Sequence, residues 1–228
     1  MHVVRYRLLT TVLRWLAAVL VLRVLVTILS NYPDYFPPDF DSLFLQGRES
    51  TFVGSYRPAF YVHILSSPIV LLNGLFLVVA PPRRRRDRLH RVLGRVQVVV
   101  LLALVLPSSV ILSRHAFGGW RAGLSFAALA GATATCAVLG VVHARRRHFD
   151  RHRQWMMRCF VLICSAVVLR LTSGTAGMIG VPSPEGAYIV AVWCSWLVPL
   201  TVYELVERVP RRTRAGSEVI RPRSDCFL

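Results

Sequence analysis

Lysine is absent. All 28 formally cationic residues are arginines, only 11 acids oppose them, and the 228-residue chain carries a formal net charge of +17. Acids are also missing from the cores of the long apolar blocks; the nearest, Glu204, stands toward one end of the last block. That scarcity counts against a proton- or cation-coupled transporter, which ordinarily keeps a carboxylate inside the membrane. No H-E-x-x-H, Walker A, G-x-S-x-G or C-x-x-C pattern occurs. The zinc-protease, nucleotide-hydrolysing, serine-hydrolase and dithiol chemistries served by those spacings therefore have no foothold. Nor do the cysteines form a disulfide framework, since Cys136, Cys159, Cys164 and Cys194 fall in apolar blocks and Cys226 in a basic tail.

What the chain has in quantity is apolar surface. Hydrophobic residues make up 54% and the mean hydropathy is +0.51. A soluble basic protein of this size needs more polar surface to hydrate its charge, which excludes a soluble nucleic-acid binder and a disordered basic chain. Residues 58–80 carry no formal charge. As a helix rising about 1.5 Å per residue they cover roughly 35 Å, enough to cross the hydrocarbon of a bilayer. The blocks 96–113, 122–144 and 187–203 repeat the signal, 159–180 does so around Arg170, and 8–30 around Arg14 and Arg23. Continuous apolar runs satisfy their backbone in lipid only as helices. The expected fold is an all-α integral membrane protein with six transmembrane helices and a four-helix core made of spans 2–5. Pro68, Pro107 and Pro199 should kink their spans. The organisation expected is a first helix within 1–30, an extracytoplasmic loop at 31–57, the core at 58–180, a sixth helix within 181–207 and a basic tail at 208–228. The first block is too long for a cleaved signal and no A-x-A site follows it, so it reads as a retained helix.

Arginine placement orients the chain. Segment 81–95 holds seven arginines, 145–158 six and 208–228 six, with Arg5 and Arg7 on the same side. The opposite loops hold Arg48, Arg57, Arg114 and Arg121 among five acids. The positive-inside rule then places both termini in the cytoplasm of a bacterial-type plasma membrane. Anionic lipid headgroups are the expected partner of that face. No recognition motif accompanies the arginine run at 83–86, so no nucleic-acid partner is expected.

A half-repeat carries the candidate residues. D-R-L-H-R-V-L-G-R at 87–95 opens the third span and D-R-H-R-Q-W-M-M-R at 150–158 opens the fifth. Each follows an outside-to-inside helix, so the repeat is parallel and implies a pseudo-twofold axis along the membrane normal. Under that symmetry His90 and His152 lie at one depth, facing across the four-helix core. His90, Gly94 and Gln97 share a helix face, as do His152, Met156 and Cys159. His63 stands in the otherwise apolar second span above Ser66 and Ser67, and Arg170 in the outer half of the fifth. An ionisable side chain there must face protein, water or a ligand, which makes both candidates for an outer site.

A-F-Y-V-H-I at 59–64, H-R-V-L-G-R at 90–95 and H-R-Q-W-M-M-R at 152–158, together with Y-F-P-P-D-F at 35–40 and L-Q-G-R at 45–48, resemble a bacterial family of predicted membrane proteins, DUF2306, whose function is unknown. The resemblance spans roughly residues 30–180 and marks His63, His90, Gly94, Arg95, His152, Trp155, Met157 and Arg158 as family-like positions. The histidine pattern is also distantly similar to that of two-haem cytochrome b membrane proteins, which hold their haems between histidines of a four-helix core. That likeness implies haem b, with His90 and His152 as iron ligands, Gly94 giving room and arginines such as Arg91, Arg95, Arg153 and Arg158 meeting propionates. His63 lacks an evident partner, since the repeat interval carries it onto Ser125 and His115 falls in a short loop. The competing reading is a non-catalytic helical membrane protein, a lipid- or small-molecule-binding component or partner subunit, whose histidines cap helices or meet lipid phosphate. A cavity flanked by His90 and His152 favours the first reading; a tightly packed core favours the second.

Overall fold

The computed structural model describes residues 2–42, 44–80, 87–179 and 184–218, with side chains outside 2–14, 16, 87, 174–179, 184 and 209–218. The arginine run at 83–86, Cys226 and the end of the basic tail lie outside the described residues. Helix α1 is His2–Ser30 and α2 is Tyr56–Val79. The third span is built from α3 (Asp87–Val100), a π-helical turn (Leu101–Val105) and α4 (Leu106–Ser113). Helix α5 (Gly119–Arg145) is the fourth, α6 (Phe149–Ile163) and α7 (Ser165–Ile179) the fifth, and α8 (Pro184–Glu218) the last. No strand occurs among the described residues.

Five stretches are long and apolar enough to cross a membrane: Tyr56–Val79, Arg88–Ser113, Gly119–Arg145, Phe149–Ser173 and Glu185–Arg208. The apolar part of α1, Ala17–Ser30, is shorter and supplies the sixth element of an all-α, multi-pass membrane protein. Three boundaries differ from the charge-free runs. The third and fifth helices begin earlier, so His90 and His152 lie within continuous helix, and α8 continues into the basic tail. Arginine does not stop a helix; its long stem can carry the charge out to the headgroups.

Spans 2–5 form a ring. Helix α2 packs on α3, α4 and α6, α4 on α5, and α5 on α6. The third and fifth spans therefore occupy opposite corners, as do the second and fourth. Small residues allow the closest approaches, because in lipid the attraction between helices is packing rather than water exclusion. A methyl at Gly123 would collide with the Ser113 carbonyl oxygen, and one at Gly140 would meet the Met156 side chain. Helices α5 and α6 join through a short turn in which Arg147 adopts φ 58°. The centre is filled by Val70, Leu101, Cys136, Ala137, Cys159, Leu162 and Trp196. Helix α8 is tied to α5 where the Trp196 indole donates to Ser125 Oγ at 3.0 Å, and α1 packs against α2 and α7.

The half-repeat extends beyond its letters. Regular helix lasts 14 residues in α3 before the π turn and 15 in α6 before the break at Cys164. Residues 31–42 and 44–55, expected only as a loop, form an aromatic cap over the ring's arginine-poor end. Tyr35, Leu45 and Phe52 pack there on Tyr56 and Phe60 of α2. Arg48 fastens it, donating to the Tyr56 hydroxyl at 3.1 Å and the His115 carbonyl at 3.2 Å.

Candidate functional site

Each polar group inside a span must find a partner, so the pairings locate what the bundle is built around. Pro68 supplies no N–H to the Ile64 carbonyl one turn before it, and the Tyr32 hydroxyl from the cap donates to that oxygen. Between α2 and α3, Asn73 donates to the Leu93 carbonyl at 3.0 Å and to Gln97 Oε1 at 2.9 Å, while Gln97 donates to the Val70 carbonyl at 3.0 Å. This amide clamp accounts for Gln97, which the sequence grouped with His90 and Gly94. Asn73 was not singled out, although it is the lone side-chain amide in the second span.

His63 meets the third span where its helix is irregular. Its Nδ1 lies 3.3 Å from both Ser108 Oγ and Ser109 Oγ. Ser108 donates to the Leu104 carbonyl at 2.6 Å and Ser109 to the Val105 carbonyl at 2.6 Å. With their protons committed, both hydroxyls accept, which puts the imidazole proton on Nδ1 and leaves Nε2 as an acceptor. The serines follow Pro107 and the π turn, a pairing that depends on a helix distortion and has no sequence spacing of its own.

At the arginine-rich end His152 Nδ1 donates to the Gly140 carbonyl of α5 at 2.8 Å. A carbonyl only accepts, so the His152 proton is on Nδ1, and in the neutral ring Nε2 is the lone-pair nitrogen, the same tautomer as His63. His90 is half-buried on α3, Gly94 has no atom within 4 Å of where a Cβ would stand, and Arg95 is exposed. Helix α3 packs on α2 and not extensively on α6. Their side chains nevertheless converge at Gly74 of α2, where Gln97 and Phe160 both contact the glycine face. His90 and His152 lie seven and eight residues before those contacts, placing them at matching depths, roughly 10–12 Å nearer the arginine-rich surface at about 1.5 Å per residue.

Arg158 has a protein partner. Its Nε and Nη2 form a two-pronged ion pair with Glu204 of α8, the second bond at 3.1 Å, and its guanidinium lies 4.9 Å from the Trp155 ring centre. The propionate role considered for Arg158 would compete with this pair. Trp155 thus acts as a platform for the pair, and Met157 is half-buried. His143 and His148 meet at the α5–α6 turn with ring centres 6.0 Å apart. No three His, Cys, Asp or Glu side chains among the described residues are grouped to hold a metal ion.

Arg170 lies near enough to His63 for its charge to be felt there, but no hydrogen bond joins the two. It borders a recess of about 180 Å³ under the cap, with Asn31, Asp34, Tyr35, Ser42 and Phe44. Burial pushes the Tyr32 and Tyr35 phenols above their ordinary range, with Arg170 acting in the opposite sense, so both stay neutral donors at physiological pH. Asp34 was not singled out from the sequence; a carboxylate in a cap gives no signal until the cap is placed on the fifth span.

A family model for predicted membrane proteins of unknown function matches residues 60–207, nearly all of the ring and most of α8. The chain belongs to the DUF2306 family. His63, His90, Gly94, Arg95, His152 and Arg158 all fall within the matched DUF2306 region, as does Arg170, while the cap residues before 60 lie outside it. No curated protein and no solved structure matches the chain.

Proposed function

We propose that this DUF2306 protein binds haem b at the arginine-rich end of its helix ring and carries electrons within the bilayer, with both termini in the cytoplasm of a bacterial-type plasma membrane. The observation that carries the reading is the His152 imidazole, oriented by Nδ1–H to the Gly140 carbonyl with its Nε2 lone pair left for a ligand. A histidine ligand is ordinarily held in this way, through its other ring nitrogen. His90, from the diagonal corner of the ring and a matching depth, would be the second histidine to hold it. Gly94 leaves space on the His90 face. Arg95 and Arg153, both exposed, would meet the propionates; Arg158 would do so only by releasing Glu204. Bound haem would supply reversible one-electron chemistry. The Gly140 carbonyl orients the His152 imidazole, and Arg95 and Arg153 would hold the acidic edge of the group.

That packed centre favours a second reading, a helical membrane protein without redox chemistry that binds a lipid or small molecule. The two separate on one measurement: absorption spectra of purified protein, air-oxidised and dithionite-reduced, from cells supplied with a haem precursor. The haem reading expects a sharp reduced α-band and a Soret shift, both lost in His90→Ala and in His152→Ala. Featureless spectra from folded protein would sink it and leave the second reading. Anionic headgroups at the arginine-rich face are compatible with both.

A further inference from the structure

The recess beneath the cap holds two opposite charges that do not pair. Arg170 and Asp34 both line it without forming an ion pair, and among the described residues Arg170 makes no hydrogen bond. Its electrostatic neighbours are the phenols of Tyr32, Tyr35 and Tyr188. A cation at the end of a span is costly unless a counter-group or water reaches it. A simple anion on Arg170 would be repelled by Asp34, and a simple cation on Asp34 by Arg170. A group carrying both signs satisfies both. Tyr35 and Phe44 add aromatic faces, on which an ammonium is held by the ring quadrupole, and Phe44 already has the Arg48 guanidinium 5.1 Å from its centre. Asn31 and Ser42 supply neutral hydrogen-bonding groups.

Size and depth narrow the ligand. A volume of about 180 Å³ is well below the roughly 300–1,000 Å³ of pockets for drug-sized molecules, so it takes a headgroup and not a macrocycle. Asn31 directly follows the last residue of α1, which sets the recess at the boundary between hydrocarbon and water.

We infer that this recess binds a phosphoethanolamine group, its phosphate on Arg170 and its ammonium on Asp34 beside the Tyr35 and Phe44 rings. The group could arrive as a phosphatidylethanolamine headgroup or as the free compound. This site is independent of the haem reading and stands or falls without it.

The test is the melting temperature of the full-length protein in detergent, with short-chain phosphatidylethanolamine, short-chain phosphatidylglycerol or free phosphoethanolamine added. Phosphatidylethanolamine should raise it saturably by several degrees, as a ligand of the folded state does. Asp34→Asn and Arg170→Gln should each abolish that rise while leaving any effect of phosphatidylglycerol at the arginine-rich face unchanged. The same rise with free phosphoethanolamine would identify the soluble compound as a ligand; a rise with the lipid alone would assign the recess to the bilayer. No rise with either, or a rise that persists in Asp34→Asn, would overturn the site. Asp34 lies in the cap, so its variant remains informative if Arg170→Gln fails to fold.

Discussion

Arg158 and Glu204 form the one ion pair among the described residues, and the energetics of such a pair near a membrane lie in breaking it. Removing either partner leaves a charge with nothing to neutralise it, whereas removing both leaves none. Arg158→Leu should cost roughly 1.5–3 kcal/mol, the range for a hydrogen bond to a charged group. The Arg158→Leu/Glu204→Leu double variant should cost clearly less than the two single changes added together. Unfolding in mixed detergent–SDS micelles measures all three, and additive costs would mean that the pair contributes nothing. The same test applies to the amide clamp. Asn73→Leu should cost about 0.6–2 kcal/mol, the scale of interhelical hydrogen bonds in membranes, and less when Gln97 is already leucine, since only the bond to the Leu93 carbonyl then remains to be lost. At this scale the sequence was partly legible. It identified Arg158, His63 and His152 as polar residues that need an explanation, but not Glu204, Ser108, Ser109 or the Gly140 carbonyl as what explains them. Each partner comes from another helix, and side-chain type alone does not reveal which helices will be neighbours.

Two helix features have consequences that can be separated from side-chain chemistry. The Ile64 carbonyl is freed by Pro68 and met by Tyr32. Tyr32→Phe should therefore cost about 1–3 kcal/mol, the penalty for an unmet buried polar group. In a Pro68→Ala background that cost should shrink, because the alanine N–H can take the same carbonyl. An undiminished cost in the same unfolding assay would show that Tyr32 acts through packing alone. The small residues of α5 make a contrasting pair. Gly123→Ala should destabilise by about 1–3 kcal/mol, since the methyl collides with rigid backbone of α4. Gly131→Ala, with nothing within 4 Å of the new methyl, should stay within about 1 kcal/mol, on the stabilising side through helix propensity. Helix existence was readable from the apolar runs. The early starts of α3 and α6 were readable too, from the arginine-bearing repeats at 87–95 and 150–158 that open them; the π turn and the break at Cys164 were not, because short helix irregularities leave no periodic trace.

For the whole molecule, the arginine asymmetry makes a topological prediction that does not depend on any proposed ligand. A reporter fused after Leu228 should be active only in the cytoplasm, and one inserted in the short loop between α4 and α5 only outside. The reverse pattern would invert the molecule and move the cap and its recess to the cytoplasmic side. By itself the sequence determined that this is a multi-pass helical membrane protein, because the length of charge-free runs and the sign of the charges between them are properties of the chain in order. Membership of DUF2306 was legible for the same reason, as short motifs at fixed spacings. The tertiary structure decided that the third and fifth spans stand at opposite corners, that His152 is held by a backbone carbonyl, that Arg158 is paired with Glu204, and that Asp34 and Arg170 share one recess. These are contacts between residues 12 to 136 positions apart. Which distant residues meet depends on how close the small side chains of α5 let the helices come and on where the cap settles, and that is a property of packing in three dimensions.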